Sequence, residues 1–216
     1  MIVALAALAP AQAAAGTAAF DALLGRYVTL SADGISRVDY GRWQKSKADM
    51  AALGTFIEDQ SSRPPSRLSK YGRFAYWANL YNAITLKVVL DAYPVASIRD
   101  IKSGGNWFDP KAYNGPWIEK RVTVGGRALS LDDIEHEILR PTMKDPRVHY
   151  AVNCASYGCP NLRPVAWRAE TLDADLDAAA RAFINHRVQL RSTRASSRCP
   201  ASSRGSKSTS AVTTPV

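Results

Sequence analysis

Three side chains in the C-terminal half of the sequence have the types that thiol catalysis requires. His149, Asn153 and Cys154 all lie within residues 148–154. A thiolate can attack a substrate, an imidazole can carry the proton, and an amide can orient the imidazole ring. The apolar segment 148–154 predicts a strand, which places His149 and Asn153 on one face and Cys154 on the other. Residues 155–158 predict a turn that would let Cys154 reach His149 if the strand ends there. The pattern predicts a cofactor-free hydrolase or transferase with Cys154 as its nucleophile.

A second candidate base lies on a helix predicted over residues 131–140. His136 lies off the apolar stripe of this helix, whereas Glu135 partly shares it. A carboxylate among apolar neighbours is costly unless it is paired. Glu135 and His136 are therefore either general bases or ligands, with His136 an alternative to His149, or groups that hydrogen-bond the loop of residues 104–117. The second interpretation is favoured because buried polar side chains more often secure backbone groups.

The two cysteines near this segment allow two other interpretations. Cys154 and Cys159 are separated by four residues, and in an exported protein such a pair predicts a disulfide. The thiols could also bind zinc together with His136 and His149, but this spacing is loose, and we expect no metal. A disulfide would favour a non-catalytic binding domain of the cell envelope, whose polar residues organise a groove lined by loops.

Two asparagines on the longest predicted helix are further candidates. Asn79 and Asn82 are three residues apart and therefore share a helix face. They could line a cleft and bind substrate. The favoured alternative is that their amides hydrogen-bond a crossing loop.

The apolar patterns predict a helix-rich α+β fold in a single domain with a small, mainly antiparallel sheet. The strongest helix prediction covers residues 70–93, where Pro94 ends one apolar stripe. Gly125 and Gly126 predict the turn of a hairpin. The stripe of the long helix consists of Phe74, Trp77, Tyr81, Ile84 and Val88. The other predicted elements are helices over 48–59 and 172–185, an extended segment over 35–40, and hairpin strands over 122–124 and 127–129.

The helix of residues 131–140 carries a start signal and a stop signal. The side chain of Ser130 can accept the backbone amide of Asp133 and so cap the first turn. Pro141 predicts that the helix ends after Arg140.

The N-terminus predicts export. Residues 1–15 are apolar, and Ala11-Gln12-Ala13 is the small-x-small pattern at which signal peptides are cleaved. We therefore expect a signal peptide over residues 1–13, a domain over residues 14–186 and a periplasmic location. The alternative is an Ala-rich first helix of the domain.

Most of the net positive charge of the chain lies at its C-terminus. Residues 187–216 hold six Lys and Arg, are rich in Ser, and predict a disordered tail that could be an out-of-frame end. The net charge is +9, but the rest of the chain has 22 basic and 19 acidic residues. This balance gives no indication of nucleic-acid binding. After signal removal no stretch is long enough to span a membrane, and no partner is predicted.

Four blocks of sequence resemble a known family. They are residues 71–101 (YGRFAYWANLYNAITLKVVLDAYPVASIRDI), 129–141 (LSLDDIEHEILRP), 145–162 (DPRVHYAVNCASYGCPNL) and 172–185 (LDADLDAAARAFIN). In this order they resemble the domain of unknown function 547 family, found in bacterial exported proteins and in plants. The resemblance extends over residues 38–186 and implies no particular reaction. Members usually continue with a further strand and helix, whereas this sequence departs at about residue 187.

Overall fold

The structure, a computed structural model, describes residues 9–101, 115–156 and 158–186, with side chains from residue 17 onward. In chain order its elements are α1 (Ala9–Tyr27), β1 (Val28–Leu30), β2 (Ser36–Val38), α2 (Tyr40–Lys45), α3 (Lys47–Ser62), α4 (Lys70–Ala92), β3 (Val122–Val124), β4 (Arg127–Leu129), a π-helical segment (Asp133–Leu139), α5 (Arg140–Met143), α6 (Val148–Ala151) and α7 (Leu172–Ile184). Single 3₁₀ turns occur at Pro65–Arg67, Ile98–Asp100 and Pro116–Ile118. The predicted helix-rich α+β fold is confirmed.

The long helix α4 is buried on all its faces, not only along the predicted stripe. Every residue from 74 to 86 is buried, including the polar side chains of Asn79, Asn82 and Thr85. A helix that is apolar all round lies inside a domain, with packing partners on each side. Accordingly, α4 contributes to two apolar clusters. One contains Trp77 and Tyr81 and includes residues of the π-helical segment, α6 and α7, and the other contains residues of α1, α2 and α3.

The N-terminal elements form the second cluster. Phe20, Leu23 and Leu24 of α1 are buried, and Phe20 stacks on Phe56 of α3 with the ring centroids 4.4 Å apart. Tyr27, at the end of α1, stacks on Trp43 of α2 at 4.5 Å. These contacts fix the start of the β1–β2 hairpin on the core.

The strands form two separate two-stranded antiparallel sheets in the described part of the chain. In the first, Val28 pairs with Val38. The second is the predicted hairpin, which turns at Gly125 and Gly126 with φ of 58° and 81°. Such positive φ values suit glycine, which has no Cβ. β1 and α2 were not predicted, and the extended segment predicted over 35–40 ends where α2 begins.

The predicted cap of the next helix is confirmed, and its predicted end is wrong. The Ser130 hydroxyl accepts the amide of Asp133, and the Asp133 carboxylate accepts the amide of Ser130 at 2.6 Å in return. Burial alone would raise the pKa of Asp133, but the hydrogen bonds from Lys120 and Ser130 outweigh it and lower the pKa to about 2. The helical path continues past Pro141 to Met143 and ends where Lys144 adopts a φ of 51° and its amide bonds the carbonyl of Arg140, because Pro141 removes only its own backbone donor and leaves this closing bond in place.

The strand predicted over residues 148–154 is wrong. Val148–Ala151 is one helical turn, α6, and the chain becomes extended only at Val152. The cause lies just upstream, where the Asp145 side chain accepts the amide of Arg147 at 2.9 Å and Pro146 fixes its own φ. This turn starts α6, so the alternation of strand faces does not apply to His149.

No helix among the described residues is both long enough and apolar enough to cross a membrane. Residues 102–114, most of the loop assigned to 104–117, lie outside the described residues, as does the tail 187–216. Helix α1 runs from Ala9 through the predicted cleavage position.

Candidate functional site

The sulfur atoms of Cys154 and Cys159 are bonded to each other, and their Cα atoms lie 6.1 Å apart. Of the three states that the sequence left open for these cysteines, the structure has the disulfide. Within the part of the chain that the structure describes, no group of three or more His, Cys, Asp or Glu side chains could hold a metal.

Asn153 organises the disulfide loop from its base. Its side-chain amide donates to the carbonyl of Pro160 at 2.6 Å, and its side-chain oxygen accepts the amide of Ala155 at 2.8 Å. These bonds hold the two ends of the loop together and support Ala155, which has a φ of 53°. The side chain predicted to orient the His149 ring is thus engaged with the loop backbone.

The two α4 asparagines each bind the backbone of a segment that crosses the helix. The Asn82 amide donates to the carbonyl of Ala151 at 2.9 Å, and its oxygen accepts the amide of Asn153 at 2.9 Å. Asn79 does the same with the carbonyl and amide of Trp167, at 2.9 and 2.8 Å. Both side chains are buried. The favoured interpretation, hydrogen bonding to crossing segments, is the arrangement that the structure shows.

The disulfide loop forms one wall of a groove. The groove encloses about 910 Å³ including its open mouth. Strand β2 also lines the groove, together with apolar side chains of α4 and of the segment that follows α4. The residues that line the groove include Ser36, Val38, Tyr93, Ala96, Cys159 and Asn161. Arg37 is the charged residue among those that line it, and its guanidinium makes two hydrogen bonds to Asp33, at 2.9 and 2.7 Å. The groove is therefore mixed in polarity and nearly neutral.

His149 lies on α6 among aromatic rings. Its ring contacts Tyr150 and Phe183 edge-on, with centroids 5.4 and 5.5 Å away. Partial burial lowers the pKa of His149, and the positive charge of Arg140 lowers it further, while the charge of Glu135 opposes both. The imidazole is therefore neutral at pH 7 and able to accept a proton.

Glu135 interacts with both His149 and the buried Tyr81. Its carboxylate accepts a hydrogen bond from Arg140 at 2.6 Å, and burial together with the negative charge of Glu135 raises the pKa of Tyr81. The π-helical segment makes the ion pair possible, since the Glu135 carbonyl accepts the backbone amide of Arg140 five residues later. His136 lies elsewhere, beside Asp132 on the solvent side, with a nitrogen–oxygen distance of 3.7 Å.

The structure thus does not bring the predicted catalytic residues together in one site. Glu135 and His149 interact electrostatically with each other, and Tyr81 and Arg140 join them. Asn153 and the disulfide belong to the groove, whose described lining includes neither Glu135 nor His149. Sequence reasoning missed Arg140 as a partner of Glu135, because a five-residue spacing is not a contact spacing in an α-helix.

Together these features define a helix-rich α+β domain that carries a groove bordered by a disulfide and, apart from it, a cluster of ionisable side chains. The chain belongs to the DUF547 family: the model of the family described as "Protein of unknown function, DUF547" matches residues 65–184. This match confirms the resemblance stated above. Neither the curated proteins nor the solved structures contain a match to the chain.

Proposed function

We propose that this protein is an exported, non-catalytic binding domain and that the groove beside the disulfide is its ligand site. The observation that carries the proposal is the bond between Cys154 and Cys159, which leaves no thiol at the position predicted for the nucleophile. Cys159 lines the groove, so the disulfide also shapes the wall that a ligand would contact.

The hydrogen bonds of the loop support a binding role. The Asn153 side chain donates to the carbonyl of Pro160 and accepts the amide of Ala155, while Asn82 accepts the backbone amide of Asn153 and so holds it on α4. These bonds preorganise the groove wall, and a preorganised wall lowers the entropic cost of binding a ligand.

The apolar N-terminal sequence and the disulfide both support the export part of the proposal, because disulfides persist in oxidising compartments. We expect the mature protein to begin at or near Ala14 and to be recovered from the periplasm. N-terminal sequencing of the exported protein tests this. Recovery of the chain with Met1 intact from a cytoplasmic pool would contradict it.

The groove can be tested without a known ligand. A fragment library is screened against the ¹⁵N-labelled full chain, and binding is read from amide chemical shifts. Ala96 lines the groove, so Ala96→Trp should block it, whereas Ala128→Trp on the exposed face of β4 is the matched control. We expect fragments that shift groove residues in the control and not in Ala96→Trp. If every fragment hit survives Ala96→Trp, the groove is not the ligand site.

A thiol enzyme is the second candidate, because His149 precedes Cys154 by only five residues and its imidazole is partly buried among aromatic rings. A neutral imidazole at pH 7 could accept a proton from Cys154 once the disulfide has been reduced. The test is the rate of iodoacetamide labelling against pH in the reduced protein. If His149 activates Cys154, the labelling pKa rises toward that of a free thiol in His149→Ala and not in His136→Ala. Equal profiles in all three proteins would exclude this candidate.

A further inference from the structure

Strand β2 has one edge paired with β1 and one edge that faces the groove. The register Thr29↔Arg37 and the bonds at either end of the hairpin show which residues point toward β1. Along a strand, backbone groups of successive residues point to opposite edges. The residues turned toward β1 are Ile35, Arg37 and Asp39, and those turned toward the groove are Gly34, Ser36 and Val38.

A side chain already occupies the first part of the outer edge. The Asn161 amide donates to the carbonyl of Gly34 at 2.8 Å, and its oxygen accepts the amide of Ser36 at 2.9 Å. Asn161 thereby makes the pair of bonds that one residue of a third, parallel strand would make, with its amide donating to Gly34 and its oxygen accepting from Ser36. This edge can therefore form strand-like hydrogen bonds.

The rest of the outer edge has no such partner. The carbonyl of Ser36 and the amide of Val38 make no hydrogen bond to any described residue. Both residues line the groove. A strand edge with an open acceptor and an open donor is a template for pairing with another extended chain.

We propose that the groove binds an extended, uncharged polypeptide segment, which pairs with the outer edge of β2 through the Ser36 carbonyl and the Val38 amide. This inference rests on the proposed function, because the ligand occupies the same groove. Addition of a strand to a free sheet edge is a recurring mode of peptide recognition, in which pockets beside the edge receive alternate side chains. Here Tyr93 and Val95 provide apolar lining. Arg37, the charged residue among those that line the groove, is paired with Asp33, so the described lining favours a peptide without charged side chains there.

Hydrogen exchange tests the edge itself. In the full chain without ligand, the amide of Val38 should exchange about tenfold or more faster than the amides of Arg37 and Asp39, which are bonded to β1. Equal protection of the three amides would show that the edge is already covered and would overturn the peptide proposal. That result would leave binding of other ligands in the groove untouched.

Peptide selection tests the ligand. A phage-displayed library of random heptapeptides is selected on the immobilised full chain, and enriched sequences are synthesised with acetylated and amidated ends. Val38→Pro removes the edge amide at a position where a sheet tolerates proline, and Val38→Ala keeps the amide while shortening the side chain. We expect roughly tenfold weaker peptide binding by Val38→Pro, little change by Val38→Ala, and a similar loss when one backbone amide of the peptide is N-methylated.

The outcomes separate the two proposals. Failure to enrich any peptide, or binding that survives both Val38→Pro and N-methylation, overturns the peptide proposal. Fragment binding blocked by Ala96→Trp would still support the groove as a ligand site. If Val38→Pro does not fold, as judged by circular dichroism, the N-methylated peptides decide the question with the wild-type chain.

Discussion

We expect Asn79→Ala to destabilise the protein more than Asn82→Ala, although the two residues have the same type, helix and burial. Asn79 satisfies both the amide and the carbonyl of Trp167. Asn82 satisfies the amide of Asn153 and the carbonyl of Ala151, but that carbonyl also accepts the indole N–H of Trp167 at 3.0 Å. Truncation therefore leaves two backbone groups without a partner in the first case and one in the second.

The expected magnitudes follow from that count. An unsatisfied buried donor or acceptor costs about 1–3 kcal/mol. Asn79→Ala should thus lower the free energy of unfolding by about 2–6 kcal/mol and Asn82→Ala by about 1–3 kcal/mol. Thr85→Val is the control on the same buried helix. The Thr85 hydroxyl donates only to the carbonyl of Tyr81 within α4, so its loss should cost less than about 1 kcal/mol.

Urea unfolding followed by tryptophan fluorescence measures all three changes. Equal losses for the two alanine variants, or losses no larger than that of Thr85→Val, would refute the reasoning. Such a result would mean that water replaces the lost amides at Asn79 and Asn82. It would reopen the interpretation in which these side chains line a cleft and bind substrate.

Three further outcomes are expected. Replacing Cys154 and Cys159 together by serine should lower the free energy of unfolding by only about 2 kcal/mol, because the loop that the disulfide closes is short. The far-ultraviolet circular dichroism spectrum should stay unchanged, and loss of the helical signal would contradict this prediction. NMR titration should give His149 a pKa below its ordinary value, and Arg140→Gln should raise that pKa. The folded state disfavours protonation of His149, so the contribution of His149 to stability is complete above about pH 6.5 and is lost as the pH falls toward the folded pKa. Asp133 has a pKa of about 2, so its carboxylate stabilises the fold above its unfolded pKa of about 3.9 and loses this contribution as the pH falls toward 2. The urea midpoint of Asp133→Asn should therefore depend less on pH in that range than the midpoint of the wild type.

The parts of the fold that the sequence predicted are those determined by local signals. The 3.6-residue period of α4 and the two glycines of the β3–β4 turn each act within a few residues, and both elements lie where expected. The same period does not indicate that α4 is buried on all its faces. One stripe was sufficient to predict the helix, but only the presence of elements on both sides of α4 buries Asn79 and Asn82.

The candidate site depended on one short turn that apolar composition does not distinguish from a strand. Four residues, Val148–Ala151, are too few to show a period, and Val148 and Val152 favour a strand. The local signal that decides the conformation is Asp145 followed by Pro146, which starts a turn before the apolar segment begins. Once that turn forms, His149 leaves the face assigned to Asn153.

The residue types needed for thiol catalysis are also the types needed to build a rigid loop. An asparagine beside a cysteine can orient an imidazole, or it can bind two backbone groups of the turn that the cysteine closes. Composition and spacing are the same in both cases, and only the partners differ. Here the donor of Asn153 goes to Pro160 and its acceptor to Ala155. Both ends of this amide are therefore engaged, and Cys154 is bonded to Cys159. Reduction of the disulfide would free a thiol, but it would not release Asn153 to orient the His149 ring. Reduction should therefore expose a labelling site without creating a catalyst.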